Sequence, residues 1–421
     1  MEGRKEIKKF ITIALVLIIS VSMVFASVDF TVFEADIEKN EKTAYAEALD
    51  GYKPANPQIM GMGGAGLTTN DSVDSLFYNP SILGQGKFRL SIPSLTVTVN
   101  HIYDFLKKGS DGTSAYEKVM KLTGEGSEVN YADYLPIVSD LIGSGKGKIA
   151  SVEASTGMLA NVFGFAANVN ETIRTYNGSL ISDLKVSALV GIGFSFGSED
   201  VRVNVGATGK FNANVFSERI VPSKFVSGNT EEEITIPFAI GTAVPFDFGV
   251  SLKYHGLKAT ATLTDVDIAG LGEYIYELTA ISVNSDPSST ESSEPVMYKT
   301  DYKYTPNTKL NFGVAFDTES ATGLKLALDV VDVISMKDAL DAGYSFKSVF
   351  LGHMKAGAEF SLFNFLKVRG GMNSGYFTLG GSVNIGIITL DAAYFWEELG
   401  SFAGEKGLDG LSIRCNIGWD N

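Results

Sequence analysis

The stretch Val201–Val215 alternates between two kinds of residue along its whole length, VRVNVGATGKFNANV. Its odd positions are apolar or glycine, whereas its even positions include Arg202, Lys210 and several asparagines. Successive side chains of a β-strand point to opposite faces, so this order predicts a strand with one apolar and one polar face. At about 3.3 Å per residue the strand would extend about 50 Å. That length suits a strand that crosses a membrane at a tilt and continues beyond it.

The same alternation recurs through most of the chain, in about fourteen segments. Besides the first, they include residues 86–100, 147–157, 160–174, 183–197, 246–254, 257–264, 310–316, 324–330, 354–362, 366–373, 377–385 and 411–419. The segment 86–100 shifts phase at Pro93-Ser94, which indicates a bulge or a kink. No uncharged apolar run of helix-spanning length follows residue 26, which speaks against helices that cross a membrane. We predict an all-β protein, a transmembrane antiparallel β-barrel of about fourteen strands.

The charged residues decide which face of each strand points inward. Arginine or lysine facing lipid costs about 2–4 kcal/mol near the membrane midplane, and several of them would cost on the order of 10–20 kcal/mol. We therefore expect the apolar faces to contact lipid and the polar faces to line the lumen. The predicted lumen-facing charges are Arg202, Lys210, Lys253, Lys325, Lys355, Glu359, Lys367, Arg369 and Arg414.

The connections between the segments differ in length. Short ones lie near 158–160, 198–200, 255–256, 318–322, 363–364 and 386. Long ones lie near 101–146, 217–236, 265–305, 331–351 and 397–408, the link near 175–182 is intermediate, and that near 374–375 breaks the order by being short. Short turns on the periplasmic side and long loops outside are typical of outer-membrane barrels. An even strand count places both ends of the barrel on the periplasmic side.

The first residues indicate export. Four basic residues precede the uncharged apolar run Phe10–Phe25, and small residues follow it, which is the layout of a secretory signal peptide. An uncleaved membrane anchor is the alternative, because the run is close to spanning length. We divide the chain into a signal peptide (1–26), an N-terminal periplasmic or plug segment (27–85) and an outer-membrane barrel (86–421).

Composition excludes several classes of function. The 49 acidic residues outnumber the 34 basic ones, which speaks against nucleic-acid binding. A single Cys and three scattered His leave no metal site of the usual kind, and no nucleophile and base stand together. Gly61–Gly66 matches GxGxxG, but prolines precede it instead of a strand. We therefore predict no catalytic residues, no metal and no cofactor.

The residues Met60–Gly66 and Leu76–Leu83 carry a family resemblance. A Gly-rich stretch followed by an Asn-Pro motif resembles the start of FadL-type outer-membrane transporters of long-chain fatty acids and hydrophobic compounds. Asn79 and Pro80 match the family's Asn-Pro-Ala, and Ser81 replaces its alanine. The resemblance implies a fourteen-stranded barrel with an N-terminal plug. The plug would include Gly61, Gly63, Gly64, Gly66, Asn79, Pro80 and Ser81.

Two functions follow as expectations. The first is passive uptake of hydrophobic small molecules such as long-chain fatty acids, whose carboxylate could pair with a lumen cation. The alternative is a non-transport barrel that acts in protein secretion or envelope assembly, because related PorV-like and TraF-annotated barrels open in the same way. The expected partners are a fatty acid-like ligand, outer-membrane lipids and the barrel-assembly machinery, with no nucleic acid.

Overall fold

The structure is a computed structural model, and it describes residues 49, 55–70, 72–107, 113–114, 117, 147–176, 179–198, 200–217, 234–283, 296–318, 323–363, 365–399, 403–404 and 406–420. The predicted signal peptide, residues 1–26, lies outside the described residues. So does most of the N-terminal half of the predicted segment 27–85. Among the helices that the structure describes, none is long and apolar enough to cross a membrane.

The described residues form seventeen strands. In chain order they are β1 (Arg89–Asn100), β2 (Gly147–Ala160), β3 (Phe163–Tyr176), β4 (Ser179–Gly197), β5 (Val201–Ser217), β6 (Ile234–Ala243), β7 (Phe246–Tyr254), β8 (Leu257–Val266), β9 (Tyr274–Val283), β10 (Val296–Tyr304), β11 (Lys309–Asp317), β12 (Leu324–Val330), β13 (Met354–Leu362), β14 (Leu366–Asn373), β15 (Tyr376–Ile385), β16 (Ile388–Glu398) and β17 (Gly407–Asp420). The helices are α1 (Pro57–Gly61), α2 (Ile102–Leu106), α3 (Val333–Asp341) and α4 (Phe346–His353), with 3₁₀ turns at Val73–Phe77 and Pro80–Gln85.

The wall is a closed antiparallel barrel. Strand β1 pairs with β2 on one side and with β17 on the other, which closes the ring. Following the pairs around the ring gives β1 to β5, then β7, β8 and β11, and then β12 to β17. These fourteen strands confirm the predicted fold class. The predicted irregularity in β1 is also confirmed, because its register with both neighbours shifts between Ser91 and Ser94.

Three strands extend the wall on the side of the long loops. The first half of β5 pairs with β7 and its last residues pair with β6, so β6 and β7 follow one another along the same neighbour. Strand β9 pairs with β6 and with β10 in the same way above β8 and β11. The prediction of one long connection near 265–305 is therefore wrong, since β9 and β10 lie within it. Pro245 and Pro306 stand in the breaks, where a residue without an N–H fits.

The two faces of the wall differ as their charges require. Large apolar side chains at alternate positions point away from the barrel, among them Val190, 68% exposed, and Phe377, 81% exposed. The intervening positions are polar and buried, such as Asn168 and Thr378. The apolar outer surface is the face that a bilayer requires, because a lipid has no partner for polar groups.

A charge on the outer face should prevent stable insertion. Leu379 in the middle of β15 is 66% exposed on that face. We expect Leu379→Arg to destabilise the barrel by about 2–4 kcal/mol in lipid vesicles. The measurement is the urea midpoint of the refolded protein. Phe346→Arg is the matched control, because Phe346 is equally exposed but begins α4 in a long loop. Equal effects of the two substitutions would contradict the assignment of the lipid face.

Candidate functional site in the barrel lumen

Residues 55–70 and 72–86, here called the inner segment, lie against the inward-facing positions of the wall. Helix α1 begins after Asn56, whose side-chain oxygen accepts a hydrogen bond from the Gln58 amide at 2.9 Å. The second 3₁₀ turn begins in the same way after Asn79, whose side chain accepts from the Ser81 amide at 3.1 Å. Pro80 fits the first position of that turn because it has no N–H to leave unpaired. The Asn-Pro-Ser motif is thus a capped turn inside the barrel.

The glycine-rich stretch of the inner segment forms a tight reversal after α1. Gly63 and Gly64 have φ angles of +68° and +83°, which L side chains rarely adopt. The Gly64 amide donates to the Ile59 carbonyl at 2.9 Å, and the Gly63 amide donates to the wall hydroxyl of Thr378 at 2.9 Å. These contacts account for Gly63 and Gly64 by backbone geometry.

Glycines of the wall bring its backbone against the inner segment. A Cβ on Gly206 would lie 2.0 Å from the Pro80 carbonyl oxygen, and one on Gly357 would lie 2.3 Å from that of Met62. The same close approach occurs at Gly157, Gly164, Gly191, Gly193, Gly249, Gly313, Gly371 and Gly380. These positions come from strands all around the ring. The inner segment therefore touches the wall across the width of the lumen.

Buried polar bonds hold the inner segment from several sides. Asp74 accepts hydrogen bonds from Asn56 at 3.1 Å, from the Ser155 hydroxyl at 3.2 Å and from the Arg414 guanidinium at 2.5 Å. On other strands, Asp391 accepts from Gln58 at 3.1 Å. The Leu67 amide similarly donates to Asp329 at 2.9 Å. Asp74 and Arg414 are both almost fully buried, so each carries the charge that the other needs.

One phenol in the inner segment is held neutral. The Tyr78 oxygen accepts a hydrogen bond from Asn70 and lies 3.4 Å from the Ser75 hydroxyl. Desolvation raises the pKa of Tyr78 far above its usual range, and the nearby Asp74 carboxylate adds to the rise. The phenol therefore stays protonated at neutral pH and acts only as a hydrogen-bonding group.

The lumen-facing charges predicted from the sequence fall into separate groups. Lys210 on β5 lies 2.9 Å from Asp247 and 2.7 Å from Asp265. On the opposite side, Arg369 lies 2.6 Å from Glu359. Lys325 and Lys367 are each 3.8 Å from the same Glu359 carboxylate, and Lys355 donates to Asn373 and Ser374. Most of these cations thus have a carboxylate or a hydroxyl within reach.

Sequence reasoning missed two features of the lumen. Arg174 and Asp183 form a buried ion pair of 2.8 Å at the long-loop end, and Lys185 lies 3.8 Å from the same carboxylate. The signal that could have identified them is their position: each lies at one of the alternate, polar positions of its strand. The second feature is the polar partner set on the inner segment, above all Asp74, which no periodicity marks. Among the described residues, no three His, Cys, Asp or Glu side chains form a metal-binding group.

An apolar part of the inner segment meets the wall where β2 to β5 are glycine-rich. Leu76 and Leu83 pack there, and a Cβ on Gly164 would lie 2.6 Å from Leu83. On the outer side of the same strands is a groove of about 550 Å³, lined by Phe165, Val190 and other lipid-facing side chains. Only backbone and small residues separate this groove from the apolar cluster inside.

Three comparisons relate the chain to known proteins. A scan against protein-family models finds no match. A search of curated proteins also finds none. Among solved structures, the chain is similar to the Ralstonia pickettii toluene transporter TbuX, with 12% identity, a TM-score of 0.42, and coverage of 88% of this chain and 99% of that one.

Two further solved structures are similar over most of their length. A Pseudomonas aeruginosa FadL homologue has 10% identity and a TM-score of 0.44, with coverage of 87% of this chain and 98% of that one. The CymD monoaromatic hydrocarbon channel has 9% identity and a TM-score of 0.46, with coverage of 87% and 97%. None of these likenesses assigns a residue or a substrate to this chain.

Proposed function

We propose that the protein is an outer-membrane channel for passive uptake of hydrophobic small molecules, long-chain fatty acids among them. The observation that carries the proposal is the inner segment, which bears the Gly-rich and Asn-Pro-Ser motifs and reaches the wall on all sides of the lumen. A barrel with this segment in place admits cargo only if part of the segment yields. The segment is therefore proposed to act as a plug.

The apolar cluster supports a hydrophobic cargo. Leu76, Leu83 and Leu159 form a buried apolar cluster between the inner segment and the wall. An apolar molecule that leaves water gains about 25 cal/mol for each Å² that it buries. Displacement of the inner segment would uncover this surface beside the lipid-facing groove, so an alkyl chain would meet apolar side chains on both sides of the wall.

Export and location complete the proposal. The predicted signal peptide directs the chain out of the cytoplasm, and the apolar outer surface of the barrel suits insertion into the outer membrane of a diderm bacterium. The end with short turns would then face the periplasm. The expected partners are the hydrophobic ligand, the surrounding lipids and the barrel-assembly machinery.

A second candidate function rests on a different observation. Farther along the strands, beyond the apolar cluster, the inward faces of β1, β3 and β4 are polar, with Thr96, Asn168 and Ser187 buried there. A cargo path lined in this way offers little to a fatty acid. This favours a non-transport barrel that acts in protein secretion or envelope assembly.

Uptake by a deletion strain separates the two candidates. We expect cells that lack the protein to take up labelled oleate or toluene several-fold more slowly, with uptake restored by the plasmid-borne gene. A variant with Leu76→Asp and Leu83→Asp, which removes the apolar cluster, should insert into the membrane but fail to restore uptake. Unchanged uptake in the deletion strain, together with co-purification of a stable partner protein, would favour the second candidate instead.

A further inference from the structure

The outer face of the wall steps inward between β4 and β5, in the half of the barrel nearest the short turns. Ile192 on β4 is directly opposite Ala207 on β5, and Val190 is directly opposite Gly209. Each pair thus sets a branched side chain on β4 beside a methyl group or a hydrogen atom on β5. This change in size leaves the groove of about 550 Å³ on the outer surface.

Aromatic side chains border the groove on both sides. Phe246 on β7 is directly opposite Gly209, so its ring stands beside the position that has no side chain. Phe163 and Phe165 on β3 line the other side. Side chains that border an unfilled space lose dispersion contacts on that side. The groove therefore favours an occupant that fills it.

The lining indicates the chemistry of that occupant. Among the described residues that line the groove, Thr208 has the only hydroxyl, amide or charged side chain, and it is buried at an inward-facing position of β5. A polar group placed in the groove would leave water without gaining a partner, which is unfavourable. The occupant is therefore a hydrocarbon, and a headgroup would have to lie outside the groove.

The position of the groove indicates where this hydrocarbon comes from. The groove opens on the lipid-facing surface, because Val190 and Phe165 occupy the same alternate, exposed positions as the rest of that surface. The bilayer brings acyl chains against this surface at all times. The volume of the groove also lies within the 300–1,000 Å³ of pockets that hold small molecules, which is enough for part of one acyl chain.

We propose that the groove binds one acyl chain of a membrane phospholipid, from the leaflet on the short-turn side. The chain lies over Ala207 and Gly209, and the headgroup is not recognised. Bound there, the chain covers a thin part of the wall, because Gly164 and Gly191 bring the backbone of β3 and β4 against Leu83 of the inner segment. The inference does not depend on the proposed transport of hydrophobic cargo.

Native mass spectrometry of the full-length protein in neutral detergent tests the site, with palmitoyl-oleoyl phosphatidylethanolamine as the added probe. We expect the wild-type protein to retain a single lipid. Ala207→Phe fills the groove with a side chain and should weaken retention at least about tenfold, since a few buried methylene groups already contribute that factor. Ala392→Phe is the matched control, because Ala392 is an exposed outward alanine on β16, away from the groove, and it should retain the lipid.

A second variant fills the groove from the neighbouring row. The Cβ of Gly209→Leu would lie 3.3 Å from Cε1 of Phe246, the end of a flexible side chain that can move aside. Gly209→Leu should lose the lipid as Ala207→Phe does. Heat-dependent migration in gel electrophoresis shows that each variant is folded before its lipid is measured. If Ala207→Phe fails to fold, Gly209→Leu carries the test.

The headgroup and the competing occupants provide the remaining outcomes. Phosphatidylglycerol and phosphatidylcholine should be retained as well as phosphatidylethanolamine, because the groove has no partner for a headgroup. Equal retention by the wild type and both groove-filling variants, or loss of the lipid in Ala392→Phe as well, would overturn the proposal. Retention of added oleate in place of the phospholipid would also overturn it. So would a wild-type dimer that both groove-filling variants abolish, because the groove would then hold a second copy of the chain.

Discussion

Gly206→Ala and Gly357→Ala should each loosen the inner segment from the wall. The added methyl groups would lie 2.0 Å from the Pro80 carbonyl oxygen and 2.3 Å from the Met62 carbonyl oxygen, far inside van der Waals contact. Both neighbours are backbone atoms, which cannot rotate away as a side-chain end can. Overpacking of this kind costs about 1–3 kcal/mol or more. Because the barrel is a closed hydrogen-bonded ring, we expect the segment to shift and the wall to remain.

Two measurements follow that shift. The thermal midpoint of the purified protein should fall, and proteoliposomes that contain the variants should become more permeable to a small sugar. Gly370→Ala is the matched control, since it lies on β14 facing outward and its Cβ would approach no atom closer than 3.8 Å. A glycine replaced by alanine at an unstrained position normally gains a few tenths of a kcal/mol to about 1 kcal/mol. Gly206→Ala with wild-type stability and permeability would show that the segment does not seat against β5.

Arg414→Ala should release the inner segment by a different route. The substitution leaves Asp74 buried without its charged partner, and breaking a buried ion pair in this way costs about 3–5 kcal/mol. Asp74 lies on the inner segment and Arg414 on β17, so the lost interaction is one between segment and wall. We expect a lower thermal midpoint. We also expect added protease to cleave the inner segment faster, because the segment leaves the lumen more often.

A compensating variant distinguishes the charge from the packing. Asp74→Asn in an Arg414→Gln background removes both charges and keeps similar shapes, so it should recover most of the stability that Arg414→Ala loses. Lys337→Ala is the control for a pair that matters little, because Lys337 and Asp341 are both exposed and lie 3.0 Å apart. It should leave the midpoint unchanged. If Arg414→Ala behaved like Lys337→Ala, Asp74 would not anchor the segment.

Period-two alternation was sufficient to predict the barrel and its strand number. In Val201–Val215 the two faces differ over fifteen residues, longer than most strands of soluble sheets, which favours a membrane barrel. Alternation failed over residues 265–305, where β9 and β10 lie. These two strands extend the wall beyond the segments whose apolar and polar faces differ sharply. Their own residues alternate less clearly, so the sequence indicated them less well.

The pairing of charged side chains in the lumen depends on contacts between residues that are distant in the sequence. The predicted cations Lys210 and Arg369 were recognisable as lumen residues from parity alone, but their partners Asp265 and Glu359 lie on other strands, and register decides which meet. No pattern in the sequence identified Asp74 as a residue that pairs with the wall. Arg202, Lys253 and Lys258 lie side by side on β5, β7 and β8, and this row becomes visible only when the three strands are aligned.

The sequence by itself determined that this chain forms a barrel with apolar outward and polar inward faces. The reason is that side-chain direction in a strand repeats every two residues, whatever the neighbouring strands are. It also singled out the Gly-rich and Asn-Pro-Ser stretches, whose family resemblance implied a plug. Only the tertiary structure decided that wall glycines such as Gly206 receive the inner segment and that Asp74 meets Arg414. A glycine's use and a charge's partner depend on which atoms approach across the lumen, and that distance is fixed by closing the ring.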